Sequence, residues 1–448
     1  MTSPASQPGP HPAKPLARRL GLFDATMLVM GGTIGSGIFI NPYVVAQSVH
    51  TPALVLGAWL AGGVIALTGG FIWAELADRM PHVGGQYAYL RDVYHPLAAF
   101  LYGWVLLLVI QTGGMAAVTV TFANYFVELT GIAVPTWVVA AITLSILTVV
   151  NCLGVRVGGS LQSVLMVIKI GAIAFLVVAG LLLAHGPQFS WTPVLDRPLS
   201  PSLLSSFGAA MVPVLFAYGG WQTACFVAGE LKEPRRDMPR ALVLGVIGVA
   251  VLYTSVNFVC VRALGVTALS QTRTPASAVM RVALGERGAV LIALGIAIST
   301  LGFLSQSVLT APRVYFAMAS DGVFFRQLAS VNARTRVPVA AIVLQSIWTL
   351  VIMFSGSYEK ILNYVTTMDW IFFGLTASCL FLLRRKAGPP SGFRMPGHPW
   401  STGLFCLACA AVVVNTIYVY PANTLIGIGI LATGVPVYYI WRSSSRTS

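Results

Sequence analysis

Charge is scarce in this chain: Asp, Glu, Lys and Arg together make up 9% of its 448 residues, against roughly 25% in an ordinary soluble domain. So few charges cannot cover a soluble surface of this size, nor keep a chain unfolded. A soluble enzyme and a disordered protein are thereby excluded. Cysteine is also sparse. Cys152, Cys225, Cys260, Cys379, Cys406 and Cys409 lie in or at the ends of apolar segments, which excludes a secreted disulfide scaffold. Cys406 and Cys409 form a C-x-x-C with neither a second pair nor a nearby histidine, a poor zinc or redox site. No metal and no cofactor is expected. The histidines (His11, His50, His82, His95, His185, His398) fall in tails, loops or the ends of apolar runs. No paired carboxylate and no Ser-His-Asp set can be assembled at membrane depth, which argues against an intramembrane enzyme. An apolar signal core is missing before Arg18-Arg19; the first sixteen residues, rich in Pro and Ser, read as a disordered cytoplasmic tail with no cleaved signal.

What is abundant is apolar residues, at 56% of the chain, with a mean hydropathy of +0.81. Membrane helices need about 20 apolar residues each, and hydropathy predicts twelve of them. They are 22–48, 53–77, 97–126, 136–152 and 157–184, then 203–229, 241–261, 288–319, 338–354 and 358–383, and finally 403–419 and 424–441. The net charge of +14 is placed between these runs, an orientation signal rather than a nucleic-acid footprint. With the N-terminus inside, twenty of the 27 Lys and Arg face the cytoplasm and six face out; Lys169 lies within a span. That bias makes both termini cytoplasmic. A multi-pass protein of the cell (inner) membrane, all-α and in contact with the lipid bilayer, is the expectation.

Two spans contain interruptions. The first carries Gly31-Gly32-Thr33-Ile34-Gly35-Ser36-Gly37, four glycines that each cost about 1 kcal/mol in a helix interior. The sixth carries Phe216-Ala217-Tyr218-Gly219-Gly220-Trp221-Gln222. Glycines of this kind serve either close helix packing or a substrate site. Transporters built from inverted repeats break corresponding helices at the bilayer midplane. There, free N–H groups hold a carboxylate and free carbonyls hold a cation. Such a pair of breaks suits a zwitterion.

Two ionisable residues sit at depth, Lys169 in the fifth span and Asp369 in the tenth. Each costs at least ~2.5–3.5 kcal/mol to insert, so each is a candidate functional group. For Lys169 the bland alternative is snorkelling; for Asp369 it is a hydrogen bond to neighbouring backbone or hydroxyls. Asp24, Glu75, Asp78, Glu128 and Glu230 fall at span ends and are expected at the interface.

Four segments together resemble the amino acid–polyamine–organocation superfamily of permeases. They are Gly35-Ser36-Gly37-Ile38-Phe39, Glu75-Leu76 through Gly84-Gly85-Gln86-Tyr87, Phe216 through Trp221 with Gly229-Glu230, and Arg313 through Gly322. Asn363-Tyr364-Val365 and Phe393-Arg394-Met395-Pro396-Gly397 narrow the likeness to the L-type amino acid transporter group and its bacterial relatives. The resemblance implies a LeuT-type fold of two inverted five-helix repeats plus two helices, with helices 1 and 6 discontinuous. It divides the chain into a tail (1–20), repeats (21–185 and 202–385), a last helix pair (400–441) and a C-terminal tail (442–448).

By the same resemblance, the N–H groups of Ser36 and Gly37 would bind a substrate α-carboxylate. The carbonyls of Thr33, Phe216 and Gly219 would bind its α-ammonium, and Phe216 would close over it as an outer gate. Ile34, Gly35, Ala217, Trp221, Gln222, Asp369 and Trp370 complete the implied substrate-binding set. Lys169 would stand in place of a sodium ion and bridge the first and eighth helices near Ser299. The 128–135 loop lacks the cysteine by which animal members join a glycoprotein, so no disulfide-linked glycoprotein subunit is expected. Asp369 replaces a neutral polar residue common in L-type relatives. The implied activity is sodium-independent transport of amino acids by alternating access, with exchange of neutral L-amino acids as the leading form. A proton-coupled symporter and a cationic amino acid carrier are the alternatives; a channel or a non-transporting receptor lies further off. Substrate side chain and oligomeric state are left open.

Overall fold

The computed structural model describes residues 16–184, 190–355, 358–388, 392–419 and 421–444. Most of the expected N-terminal tail, the end of the C-terminal tail, His11 and His185 lie outside the described residues. The chain runs α1 (Leu22–Thr33), α2 (Gly37–Ser48), α3 (Pro52–Arg79), α4 (Gln86–Val93) and α5 (Pro96–Val105), which passes through a π turn (Leu106–Ile110) into α6 (Gln111–Thr130). Next are α7 (Thr136–Cys152), α8 (Val155–Leu182) and α9 (Pro201–Ala217), followed by a 3₁₀ segment (Trp221–Glu230). Then come α10 (Pro234–Leu269), α11 (Pro275–Thr310), α12 (Pro312–Ser320), α13 (Val339–Phe354), α14 (Tyr358–Ala387), α15 (Trp400–Val419) and α16 (Pro421–Ser444). Proline opens many of these helices, where its missing N–H costs nothing.

Among the described residues nine helical stretches are long and apolar enough to cross a membrane, and α1 with α2 form a further candidate span bent by 42°. The helices α7 and α13 are apolar but shorter, at 17 and 16 residues. The frame around the breaks is made by α10, which packs along α3 and α1, and by α11, which packs along α8 and α6. An aromatic seam fills the space between α3, α9 and α10. Trp59 meets the Tyr253 ring edge-on at 5.6 Å, and Tyr218 meets it at 5.0 Å.

Several expectations need correction. The sixth span does not resume as an α-helix after its break; it continues as a 3₁₀ segment. The seventh and eighth spans are longer than hydropathy suggested, because α10 and α11 continue through backbone kinks at Gly265 and Gly285. Glu75 and Glu230 are not interfacial: both side chains are fully buried. Burial of a carboxylate is tolerated only with partners, and each has them. Glu75 accepts from Arg79, from Arg384 and from the Met395 N–H. Glu230 accepts from Arg313 Nε at 2.5 Å and Nη2 at 3.2 Å.

Candidate functional site: a cavity between two broken helices

The first break is set by backbone hydrogen bonding. Ile34 N–H still bonds Met30 at 2.8 Å, but Ile34 itself turns extended (ψ 92°) and Gly35 N–H folds back onto Thr33 at 2.9 Å. The helix restarts at Gly37. The second break begins where Gly219 N–H bonds Phe216 at 3.1 Å and Gly220 takes φ +103°, a conformation glycine adopts freely. The breaks are tied together at their ends. Tyr253 on α10 places its hydroxyl 3.0 Å from the Thr33 carbonyl and 3.2 Å from the Ala217 carbonyl, the last residues of α1 and α9. Asn41 of α2 donates to the Pro213 carbonyl of α9 at 2.7 Å.

Between the breaks lies a cavity of about 310 Å³. Ten of the twelve residues expected there line it: Thr33, Gly35, Ser36, Gly37, Phe216, Ala217, Gly219, Gln222, Asp369 and Trp370. Ile34 and Trp221 do not. Ile34 points into the core, fully buried. Trp221 packs behind the cavity against Trp73 and Phe373, at 5.1 and 5.8 Å between ring centres. Phe216, the expected gate, is 45% exposed.

The glycines divide their work. Gly31 and Gly32 remain helical and serve packing: a β-carbon on Gly31 would overlap the Gln162 amide, and one on Gly32 would lie 2.6 Å from the Gly220 carbonyl oxygen. Gly35 and Gly37 face the cavity, where a β-carbon would make only ordinary contacts, 3.6 Å to Phe303 and 3.4 Å to Ala217.

The N–H groups of Ser36 and Gly37 have no acceptor among the described residues, and they point from the first turn of α2. The carbonyls are less free than expected. Thr33 already accepts from Gly35 and Tyr253, and Phe216 accepts from Gly219. Of the three implied ammonium ligands, only the Gly219 carbonyl carries no such bond among the described residues.

Lys169 is fully buried, and its ammonium donates to the Ile34 carbonyl inside the first break. The expected bridge to Ser299 is not formed: the Ser299 hydroxyl is buried without a partner. On the α11 side the lysine packs instead against Gly302, where an added β-carbon would stand 3.3 Å from Lys169 Cε. Asp369 is the one charged residue lining the cavity, and it forms no ion pair or hydrogen bond among the described residues.

Sequence reasoning missed the other wall. Gln111, Gly114, Val118 and Thr121 of α6 face the cavity at helical spacing, as do Phe303 and Gln306 of α11. The π turn directly before Gln111 shifts the register of that stripe, and such turns recur at functional sites. Gln306 donates to Thr223 at 2.7 Å, and Thr223 in turn donates to the Gly220 carbonyl at 2.6 Å. A cleft formed by two interrupted apolar helices, with bare amide donors at one helix start, fits a carrier of small polar molecules. The sequence profile of the amino acid permeases matches residues 20–441. The chain belongs to the amino acid permease family.

Relatives place this permease within the amino acid–polyamine–organocation superfamily, near the L-type group. It is 32% identical to the serine/threonine exchanger SteT of Bacillus subtilis, covering 95% of this chain and 97% of that one. It is 30% identical to the human large neutral amino acids transporter small subunit 2, over 95% and 80% of the two chains. The human cystine/glutamate transporter shares 27% identity over 96% and 87%. The permease is thus a multi-pass membrane protein of amino acid transport and not an enzyme.

Proposed function

We propose that this permease is a sodium-independent exchanger of neutral L-amino acids working by alternating access. The observation that carries the proposal is the start of α2, whose Ser36 and Gly37 N–H groups open into the cavity without an acceptor. A substrate carboxylate supplies one, and the helix dipole favours it there. The Gly219 carbonyl is the readiest ligand for the α-ammonium. The Lys169 ammonium on the Ile34 carbonyl already puts a positive charge at the first break, which supports independence from sodium.

The nine long apolar helices, the bent pair and the two shorter helices are read as twelve spans. In this reading the repeats 21–185 and 202–385 each open on a broken helix, as in a LeuT-type fold, with 400–441 added. Both termini face the cytoplasm of a cell (inner) membrane by the arginine and lysine bias. The loop before α7 offers no cysteine, so the chain works without a disulfide-linked glycoprotein.

A second reading rests on Asp369. A lone carboxylate in a cavity without a cation among the described residues would pair with a basic substrate side chain, making the protein a cationic amino acid carrier. One assay separates these. In proteoliposomes the exchanger needs internal unlabelled amino acid and ignores sodium and the pH gradient, while methyl esters and N-acetyl derivatives compete poorly. Uptake into empty vesicles driven by a proton gradient would establish a symporter instead. Lysine or arginine outcompeting neutral amino acids, with the preference lost in Asp369→Asn, would establish the cationic carrier.

A further inference from the structure

At the end of the bundle where α1 and α8 begin, four arginines converge on one small pocket. Arg19, Arg156, Arg334 and Arg336 line a space of about 190 Å³ with no carboxylate in its wall among the described residues. None of the four is ion-paired among the described residues; the arginine pairs of this protein use other arginines. An adjoining pocket shares Arg19 and Arg156, and adds Lys232 and Asp24. Asp24 is already engaged, accepting from the Gly21 N–H at 3.0 Å and from Ser163 at 3.2 Å.

This placement is electrostatically unfavourable as it stands. Arg156 occupies the first turn of α8, where the helix dipole disfavours a cation, and the first N–H groups of that 28-residue helix lack intrahelical acceptors. The turn before α13 is nevertheless built to hold its arginines there. Asn332 Oδ1 accepts from the N–H of Arg334 and Thr335, and Arg336 is held at φ +58°. That turn docks on Gly154, where a β-carbon would lie 3.2 Å from the Thr335 carbonyl oxygen. The Thr335 hydroxyl is buried in the same place without a partner. Beside the arginines, Leu153 and Val157 are 58% and 45% exposed, an apolar rim at the helix end.

We propose that this pocket binds the phosphate headgroup of an anionic phospholipid. The arginines and the α8 N-terminus take the phosphate, Thr335 donates to it, and the acyl chains lie along Leu153 and Val157. Basic pockets at membrane-facing helix ends recognise lipid headgroups in this way, and the apolar rim favours a lipid over free phosphate. The Arg19 N–H donates to the Glu230 carbonyl at 2.9 Å, so the bound lipid would brace the join between the chain entering α1 and the 3₁₀ segment.

The test uses the full chain in phosphatidylcholine vesicles with and without phosphatidylglycerol, reading lipid retained after detergent extraction and the thermal midpoint. Wild type should retain phosphatidylglycerol and gain stability from it. Each of Arg334→Gln and Arg336→Gln should weaken retention about fivefold, or about 1 kcal/mol, and the triple variant with Arg156→Gln should lose it. The single variants lie in an exposed turn and keep the test informative if the triple variant fails to fold. Arg240→Gln, outside the pocket, should retain lipid normally. Equal loss in Arg240→Gln would reduce the effect to general surface charge and overturn the proposal. So would full retention by the arginine variants, or equal stabilisation by inorganic phosphate alone.

Discussion

Gly32 and Gly220 bring the two helix breaks into backbone contact. A β-carbon on Gly32 would stand 2.6 Å from the Gly220 carbonyl oxygen, and one on Gly220 would overlap the Gly32 carbonyl. At this point the peptide groups of the two breaks meet directly, with the Thr223 and Gln306 side chains beside Gly32.

Substitution at this contact should be severe. Gly220→Ala adds both an overlap and the strain of an L-residue at φ +103°, together about 2–4 kcal/mol. Gly32→Ala should cost about 1–3 kcal/mol. Gly171, whose β-carbon would meet nothing within 4 Å, serves as the control. Thermal midpoints in detergent check this; an unchanged Gly220→Ala protein would show that the breaks separate easily.

Glu230 and Arg313 form the second test, of how the end of the 3₁₀ segment is held against α12. Both side chains are fully buried, so Arg313→Met leaves an uncompensated carboxylate and should destabilise by about 3–5 kcal/mol. Replacing both, as Glu230→Leu with Arg313→Met, should recover most of that loss. A double variant as unstable as the single one would mean that the pair supplies specific geometry beyond charge balance.

Tyr253 gives a test closer to the site. Its hydroxyl lies on the terminal carbonyls of both α1 and α9, so Tyr253→Phe should leave a buried acceptor unpaired, at about 1–3 kcal/mol. The ring stays to fill the aromatic seam, so the protein should fold. Transport should fall while the aromatic packing survives, and a normal uptake rate in Tyr253→Phe would separate the hydroxyl from function.

Both breaks were legible in the sequence because glycine pairs stand out against long apolar helix, and Lys169 and Asp369 because charge is so rare at depth. The α6 wall was not. Gln111, Gly114, Val118 and Thr121 face the cavity after a π turn that hydropathy cannot register. Glu75 and Glu230 read as interfacial because Arg384 and Arg313, the partners that hold them from other parts of the fold, lie 309 and 83 positions away in the chain. Of the two helices that Lys169 was expected to bridge, it bonds the first through the Ile34 carbonyl, while the Ser299 hydroxyl on the eighth carries no bond; which of the two forms depends on side-chain packing that the sequence does not display.

Lys169 itself carries the last prediction. Its ammonium holds the Ile34 carbonyl at the first break, while Gly302 lets α11 approach its Cε. Lys169→Ala removes the charge and leaves that carbonyl unpaired in the core, costing roughly 1–3 kcal/mol in whichever conformation used it. The cost falls on the joint between α8 and the Ile34 carbonyl rather than on the Ser36 and Gly37 amides themselves. Turnover should therefore drop strongly, while substrate affinity measured from one side changes much less. Lys169→Arg should not restore turnover, because a guanidinium is larger and planar and Gly302 packs closely on the stem. Sodium should leave the wild-type rate unchanged. A wild-type rate that climbs with external sodium would contradict the idea that the ammonium replaces a sodium ion, and normal turnover in Lys169→Ala would remove the lysine from the transport cycle.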